Sequence, residues 1–309
     1  MQSVEIRFTN DFDEARRLRD AGFEPIECAF GQHGSVLGPL ALDHHGEESH
    51  REGVAIRACR DLYAERAADP RFVVTGTPDA DATLAIVALA GLVPRTAIPT
   101  SFHELVDAYD VDPIGRDLLA TPEGEMLAWF NQQPHLGQSA KGFQTAVAAM
   151  CRLLRDGLTA TDRERVRKSD LHRRRKALDG VVALLARDGR ALDVAAEPFA
   201  LPVRRGELAA ADPGRVLVVQ SAVWGFDQWY RLAPVVVSFA ARAGRVTVGC
   251  PDVDTARRLF GAEGLNHAWR ALGHGWGGRE SIGGSPRGAR QGLADARATA
   301  EALLDLLMV

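Results

Sequence analysis

Apolar and polar positions in the first half of the chain switch repeatedly between the period of a strand and that of a helix. Val4-Glu5-Ile6-Arg7-Phe8 alternates apolar and charged residues, as a strand at the edge of a sheet does. Asp13 to Ala21 has helical spacing with Leu18 on its apolar side, and Gly22 closes it. Pro25 to Phe30 reads as a second strand. A glycine-containing turn, Gly31 to Gly34, and a short apolar run, Val36 to Leu42, then lead to Asp43. Glu52 to Ala68 is predicted as an amphipathic helix, Phe72 to Thr75 as a buried strand, and Ala82 to Leu92 as the helix that follows it. Strands alternating with helices predict an α/β domain with a largely parallel sheet.

From Gly115 to Leu185 the pattern is mostly helical. Within it, Thr161 to Lys176 is dense in basic residues, which suits a solvated connecting helix or a phosphate-facing surface. A second β-containing segment begins near Leu192 and includes Arg215 to Gln220, Pro234 to Phe239 and Arg245 to Gly249. A glycine-dense loop, Gly273 to Gly288, precedes a C-terminal helix over Leu293 to Leu307. The expected organisation is α/β throughout. A parallel-sheet N-terminal domain spans residues 1–160, a helical connector 161–190, and a second, smaller α/β domain 191–309.

The length of 309 residues agrees with about two domains. Apolar residues make up 46% and charged residues 25%, ordinary soluble composition. A net charge of -4 argues against a chain-wide electrostatic grip on nucleic acid and leaves only a local basic patch. Cys28, Cys59, Cys151 and Cys250 form no CxxC pair, so neither a zinc knuckle nor a disulfide framework is suggested. The first ten residues are charged and lack a signal-peptide apolar core, and the longest apolar runs, such as Ala85 to Val93, fall short of a membrane span. A cytoplasmic protein without a membrane partner is expected; self-association into a homodimer stays open.

Four segments carry candidate chemistry. Asp43-His44-His45-Gly46 places a carboxylate and two imidazoles after an apolar run, a ligand set suited to Mn, Zn or Fe, whereas oxygen ligands alone suit Mg or Ca. Catalytic groups of parallel sheets lie at the carboxyl ends of strands. Adjacent histidines in a turn are also ordinary surface residues. Asp79-Ala80-Asp81 lies between the strand ending at Thr75 and the next helix; its carboxylates can converge on a cation, or cap the helix. Asp107, Asp110 and Asp112 follow at the end of a helix, the first two as further ligands and the third equally as a turn former before Pro113. The loop from Gly273 to Gly288 offers backbone N–H groups and arginines to an anion. Its polar groups are His274, Arg279, Ser281, Ser285 and Arg287, among Gly277, Gly278, Gly283 and Gly284. A flexible hairpin with incidental arginines is the alternative.

The Asp43-His44-His45 run resembles the eponymous motif of the DHH phosphoesterases. Phe72 to Ala82, a strand followed by Asp79-Ala80-Asp81 and a helix, looks like that superfamily's first motif, although here it follows the Asp-His-His run, as in a permuted domain. Gly277 to Gly284 is similar to its glycine-rich substrate motif, with Arg279 where the family commonly has His. Thr75 stands where the first motif usually carries a His, and His33 or Asp11 is the substitute the sequence offers. The resemblance implies hydrolysis of phosphoester or phosphoanhydride bonds in a small nucleotide, short single-stranded oligonucleotide or phosphorylated metabolite. It implies a divalent metal, Mn first and Zn, Fe or Mg as alternatives.

On that reading Asp43, His44, Asp79 and Asp81 hold the metal, with Asp107 or Asp110 closing the shell. His45 acts as general acid or phosphate contact, and Arg279 and Arg287 meet charge on the phosphate oxygens. His274, Gly277, Gly278, Ser281, Gly283, Gly284 and Ser285 contact substrate. Two rivals differ in class. One is a nucleotide- or phosphometabolite-binding protein that does not cleave its ligand. The other is an α/β enzyme using the glycine loop for a nucleotide cofactor, disfavoured because neither GxGxxG after a first strand nor a P-loop is present. Trp224, Phe226, Trp229, Tyr230 and Trp276 are the aromatics available for base stacking, or for the core of the second domain.

Overall fold

The computed structural model describes residues 4–28, 30, 52–60, 70–111, 117–133, 137–187, 213–286 and 289–308. The chain divides into two compact units, one built from Met1–Pro113 and Asp117–Arg167, the other from Ile114–Arg116 and Lys168–Val309. Both are α/β. Among the described residues no helix is long and apolar enough to cross a membrane.

The first unit contains strands β1 (Glu5–Phe8), β2 (Glu24–Ile26) and β3 (Arg71–Val74) in the order β1-β3-β2, all parallel. Phe8 and Ile26 both pair with Val74, so the three strands end level with one another. Helix α1 (Phe12–Asp20) follows β1, with Asp11 as its cap accepting from the Glu14 N–H. Helix α2 (Val54–Cys59) precedes β3, and α3 (Ala80–Leu89) follows it. Every residue of α3 from Ala80 to Ala88 is buried, as expected of a helix apolar on all sides. Around it pack α4 (Thr100–Val111), α5 (Pro122–Asn131) and α6 (Ala140–Asp156), joined through one core that includes Phe102, Leu127, Phe130, Phe143 and Met150.

Helix α7 (Ala160–Asp179) spans the boundary residues of the two units. Asp162 anchors its first turn by accepting from the Thr159 N–H and hydroxyl, Arg152 and the Trp129 indole. The second unit is a mixed sheet of β4 (Val181–Ala186), β5 (Arg215–Gln220), β6 (Val235–Ala240), β7 (Arg245–Gly249), β8 (Gly277–Gly278) and β9 (Ile282–Gly284), ordered β4-β5-β6-β7-β9-β8. Only β5 and β6 run parallel. Val216 and Val218 of β5 face one core, with α9 (Val253–Phe260), α10 (Leu265–Leu272) and α11 (Leu293–Leu306). Leu217 and Val219 face another, with Ala177, Tyr230, and Trp229 of the short α8 (Phe226–Trp229). A strand covered on both faces reads as a continuous apolar run, which is how β5 reads.

Two expectations fail in detail. The helix predicted over Glu52–Ala68 closes at Cys59, because Arg60 takes extended backbone angles. It is also not amphipathic, since Val54 to Ala58 are all buried. The helical signal extended to Leu185 includes Val181–Ala186, which is a strand: Gly180 ends α7, and β-branched Val181 and Val182 then enter a ladder with β5.

Candidate functional site

The level ends of the three parallel strands bring Asn10, Glu27 and Thr75 to one edge, and α2, α3 and α4 supply the groups around them. Glu27 directly follows β2 and adopts φ of 48°, a left-handed conformation unfavourable for a residue with a Cβ. That turn holds a buried carboxyl where the charges of Asp79, Asp81 and Asp110 act on it. The Thr75 hydroxyl donates to Asn10 Oδ1 at 2.9 Å, tying the ends of β1 and β3.

Asp79 and Asp81 have different jobs. Asp79 caps α3, its Oδ1 accepting from the Ala82 N–H at 2.9 Å. Asp81 instead reaches the start of α2, where Oδ2 accepts from Val54 N–H at 2.7 Å and Oδ1 from Ala55 N–H at 2.9 Å. Gly53 makes this approach feasible, since a Cβ there would stand 2.7 Å from Asp81 Oδ1. Asp107 of α4 completes the grip on α2 by accepting from Gly53 N–H. The helix-capping alternative therefore holds for Asp79, and Asp81 caps a helix other than its own.

Burial and like charge shape the protonation of this edge. Glu27 is pushed well above the ordinary carboxylate range, by burial first and then by Asp79, Asp81 and Asp110. Asp79 is pushed up to about 8 by its poorly polarisable surroundings, Asp110 and Asp81. Asp79 itself is nonetheless exposed, so solvent screens much of that shift. Asp81 is also raised, by burial, against the lowering effect of its two backbone hydrogen bonds. Carboxylates that resist ionisation together are poised to accept either a proton or a cation. Among the described residues, however, no three His, Cys, Asp or Glu side chains are disposed to hold a metal ion.

Of the metal ligands expected from sequence, Asp79, Asp81, Asp107 and Asp110 thus belong to one edge of the first unit, while Asp43 and His44 lie outside the described residues, as do His45 and Arg287. Glu27 was missed. An acidic residue inside the apolar stretch Pro25 to Phe30 was the available signal. His103 was missed too. It lies one turn before Asp107 on α4, is buried, and its Nδ1 finds no hydrogen-bond partner among the described residues. Burial lowers its pKa, with Arg60 adding to the effect and Glu104 and Asp107 opposing it.

The glycine loop of the second unit is a short hairpin, β8 paired with β9. Arg279 N–H donates to Ile282 O at 2.7 Å across its turn, and the Trp269 indole donates to Arg279 O at 3.3 Å. Gly283 packs where a Cβ would meet Gly277 O at 2.4 Å and Trp269 Cζ2 at 2.6 Å. Ser281 O accepts from Cys250 N–H, and buried Ser285 is spent on Val246 through its backbone and hydroxyl. His274 is exposed, as are Gly277 and Gly278, and Trp276 stacks on Trp269 at 6.5 Å with the ring planes 10° apart. Glycine here serves close packing of the hairpin. Trp229 and Tyr230 are core residues, as the packing alternative had it. Comparison with known proteins finds no match for this chain, whether among family models, curated proteins or solved structures.

Proposed function

We propose that the first unit is a divalent-cation-dependent hydrolase of phosphoester or phosphoanhydride bonds, acting on a small nucleotide or phosphorylated metabolite at the carboxyl edge of its parallel sheet. The observation that carries this reading is the gathering of carboxylates from three elements at one edge, where buried Glu27 is hydrogen-bonded to Asp81 and its pKa is raised by burial and by Asp79, Asp81 and Asp110. Such an arrangement is costly unless protons or a cation offset it. Ligand sites of open parallel sheets also lie at this end of the strands.

Within the proposal, Glu27, Asp79 and Asp110 are candidate donors to a cation whose shell would have to be completed by residues outside the described ones, since no three described side chains are disposed to hold it, and Asp81 and Asp107 hold α2 in place. The described donors are all oxygens, a set suited to Mg or Mn; Asp43 and His44 would add the imidazole that shifts preference towards Mn, Zn or Fe. A bound divalent cation supplies Lewis acidity towards a phosphate oxygen. The chain itself supplies orientation: the Asn10–Thr75 pair fixes the strand ends, and the capped start of α3 fixes Asp79.

A second reading, binding of a phosphorylated ligand without cleavage, is favoured by Thr75. Its hydroxyl is engaged with Asn10 where the resembling family carries a ligand histidine. Metal analysis by mass spectrometry, paired with hydrolysis of bis(p-nitrophenyl) phosphate and a nucleotide panel, tests both. Glu27→Gln and Asp110→Asn should each lose metal and activity with an unchanged circular dichroism spectrum. Full activity in both variants refutes the hydrolase. Metal retention without turnover in the wild type selects the second reading.

A further inference from the structure

Strands β5 and β6, the parallel pair of the second unit, end side by side: Gln220 pairs with Phe239, and Ser221 N–H donates to Phe239 O at 3.2 Å. From this end of the sheet the chain turns through residues 241–244 into β7, and Gly244 N–H closes the turn on Ala240 O at 2.8 Å. Gly244 takes φ of 61°, and its carbonyl accepts from Gln291 N–H at 2.8 Å. That bond lays the preceding side chain over the turn. A Cβ on Gly244 would stand 2.4 Å from Arg290 Cγ and 3.3 Å from its Nε. Arg245 follows Gly244 directly and Arg242 lies two residues before it, so three exposed arginines gather at one turn.

Among the described residues, none of the three side chains makes an ion pair or a hydrogen bond. The carboxylates nearest them along the chain and the sheet are Asp295 and Asp179. Asp295 is spent on the start of α11, where it accepts from Gly292 N–H at 2.7 Å. Asp179 precedes Gly180, whose carbonyl accepts from Gln220 N–H, and it pairs with Lys176 at 3.5 Å. Beyond the other end of β7 arginines come with carboxylates: Arg257 pairs with Glu280 at 2.7 Å, and Arg270 with Glu263. Unmatched like charges at one turn repel unless an anion joins them. Guanidinium forks fit phosphate oxygens two at a time, and ligands of α/β sheets bind beyond the carboxyl ends of parallel strands.

We propose that Arg242, Arg245 and Arg290 form a metal-independent binding site for the phosphate group of a small phosphorylated molecule. The three belong to the second unit and the carboxylates of the hydrolase reading to the first, so each proposal stands without the other. The site is also not the glycine hairpin expected from sequence to hold substrate, whose Ser285 is spent on Val246. A small ligand fits better than a nucleic acid, because the charge is gathered at a single turn, whereas a strand is followed by a track of cations.

The test is isothermal titration of the full chain with pyrophosphate at low salt in EDTA. Without a divalent cation the carboxylates of the first unit repel an anion, so this heat reports on the arginines, and failure of the hydrolase reading would show separately as absent turnover with metal. Arg242→Gln, Arg245→Gln and Arg290→Gln should each weaken binding about tenfold. Arg290→Lys, which keeps the charge and loses the fork, should fall between wild type and Arg290→Gln. Arg258→Gln, at an exposed arginine of α9, should bind as wild type. Circular dichroism separates loss of binding from loss of fold. No binding by the wild type, wild-type affinity in the three Gln variants, or an equal loss in Arg258→Gln overturns the proposal. A 15-nucleotide oligo-dT that binds about a hundredfold more tightly than pyrophosphate, and loses that affinity in the same variants, also overturns it and assigns the turn to nucleic acid.

Discussion

Replacing Asp81 by Ala removes both oxygens that hold the start of α2. Val54 and Ala55 are fully buried, so water does not take over as acceptor. A buried donor left unsatisfied costs roughly 1–3 kcal/mol, which sets the gross loss at about 2–6 kcal/mol for the pair. Part of this returns, because burial disfavours the charged carboxylate that is being deleted and Asp107 repels it. A net loss of about 2–4 kcal/mol is expected, a large share of the 5–15 kcal/mol typical of a folded domain. Asp81→Asn keeps one acceptor and should lose about half as much. Urea denaturation in EDTA measures the totals, and native-state hydrogen exchange reads the Val54 and Ala55 amides individually. Both amides should exchange faster in Asp81→Ala. Wild-type stability in that variant, or unchanged exchange at the two amides, refutes the clamp. A defect confined to metal-loaded protein would make Asp81 a ligand and nothing more.

Other outcomes follow from the same physical terms. Glu125 is buried, which raises its pKa, but hydrogen bonds from Arg167 and Arg163 outweigh this and hold the carboxyl below its ordinary value. A depressed folded pKa contributes stability above the unfolded value near 4.5 that is lost as pH falls through the folded one. Glu125→Gln should therefore destabilise the protein by about 1–3 kcal/mol at pH 7 and by progressively less in acid, read from urea midpoints across pH. Asp79 has the opposite sign: its folded value is raised, to an extent that its exposure limits, so the metal-free protein should lose stability as pH rises above about 4. Asp79→Asn, which can still cap α3, should flatten that slope, and an unchanged slope counts against the shift. Gly283→Ala should separate the Trp269–Trp276 stack, with a change in near-ultraviolet circular dichroism at unchanged helix content; an identical near-ultraviolet spectrum counts against the packing role.

Periodicity made most of the fold legible. The alternation of Val4 to Phe8 marked β1, which lies at an edge of the sheet among the described residues, and Arg215 to Gln220 marked β5 to the residue. It failed where burial is complete. In α2, covered on all sides, no polar face exists to mark the end, and the helix stops where Arg60 turns extended. In Val181–Ala186 an Ala- and Leu-containing run continued a helical signal, while the pairing that makes it a strand lies in β5, far along the chain. Local pattern does not contain that information.

The candidate site shows a sharper limit. Asp79-Ala80-Asp81 was legible as a pair of carboxylates at a strand end, and capping and ligation were both open to it. What the sequence could not show is that the two side chains part company. Asp79 is the first residue outside α3 and turns back to its own helix, while Asp81, inside the first turn, points across to Val54 and Ala55. Spacing of two along the chain thus does not imply a shared target in space. Convergence comes instead from Glu27, invisible as a site residue until β2 is seen to end level with β3, and from Asp110 on the far turn of α4. A capping carboxylate keeps lone pairs to spare, since each Asp81 oxygen accepts one N–H and Asp79 uses Oδ1 for its own. Capping and cation binding are therefore compatible at Asp79, whereas Glu27, which caps neither α2 nor α3, hydrogen-bonds Asp81 and so is tied to the clamp on α2.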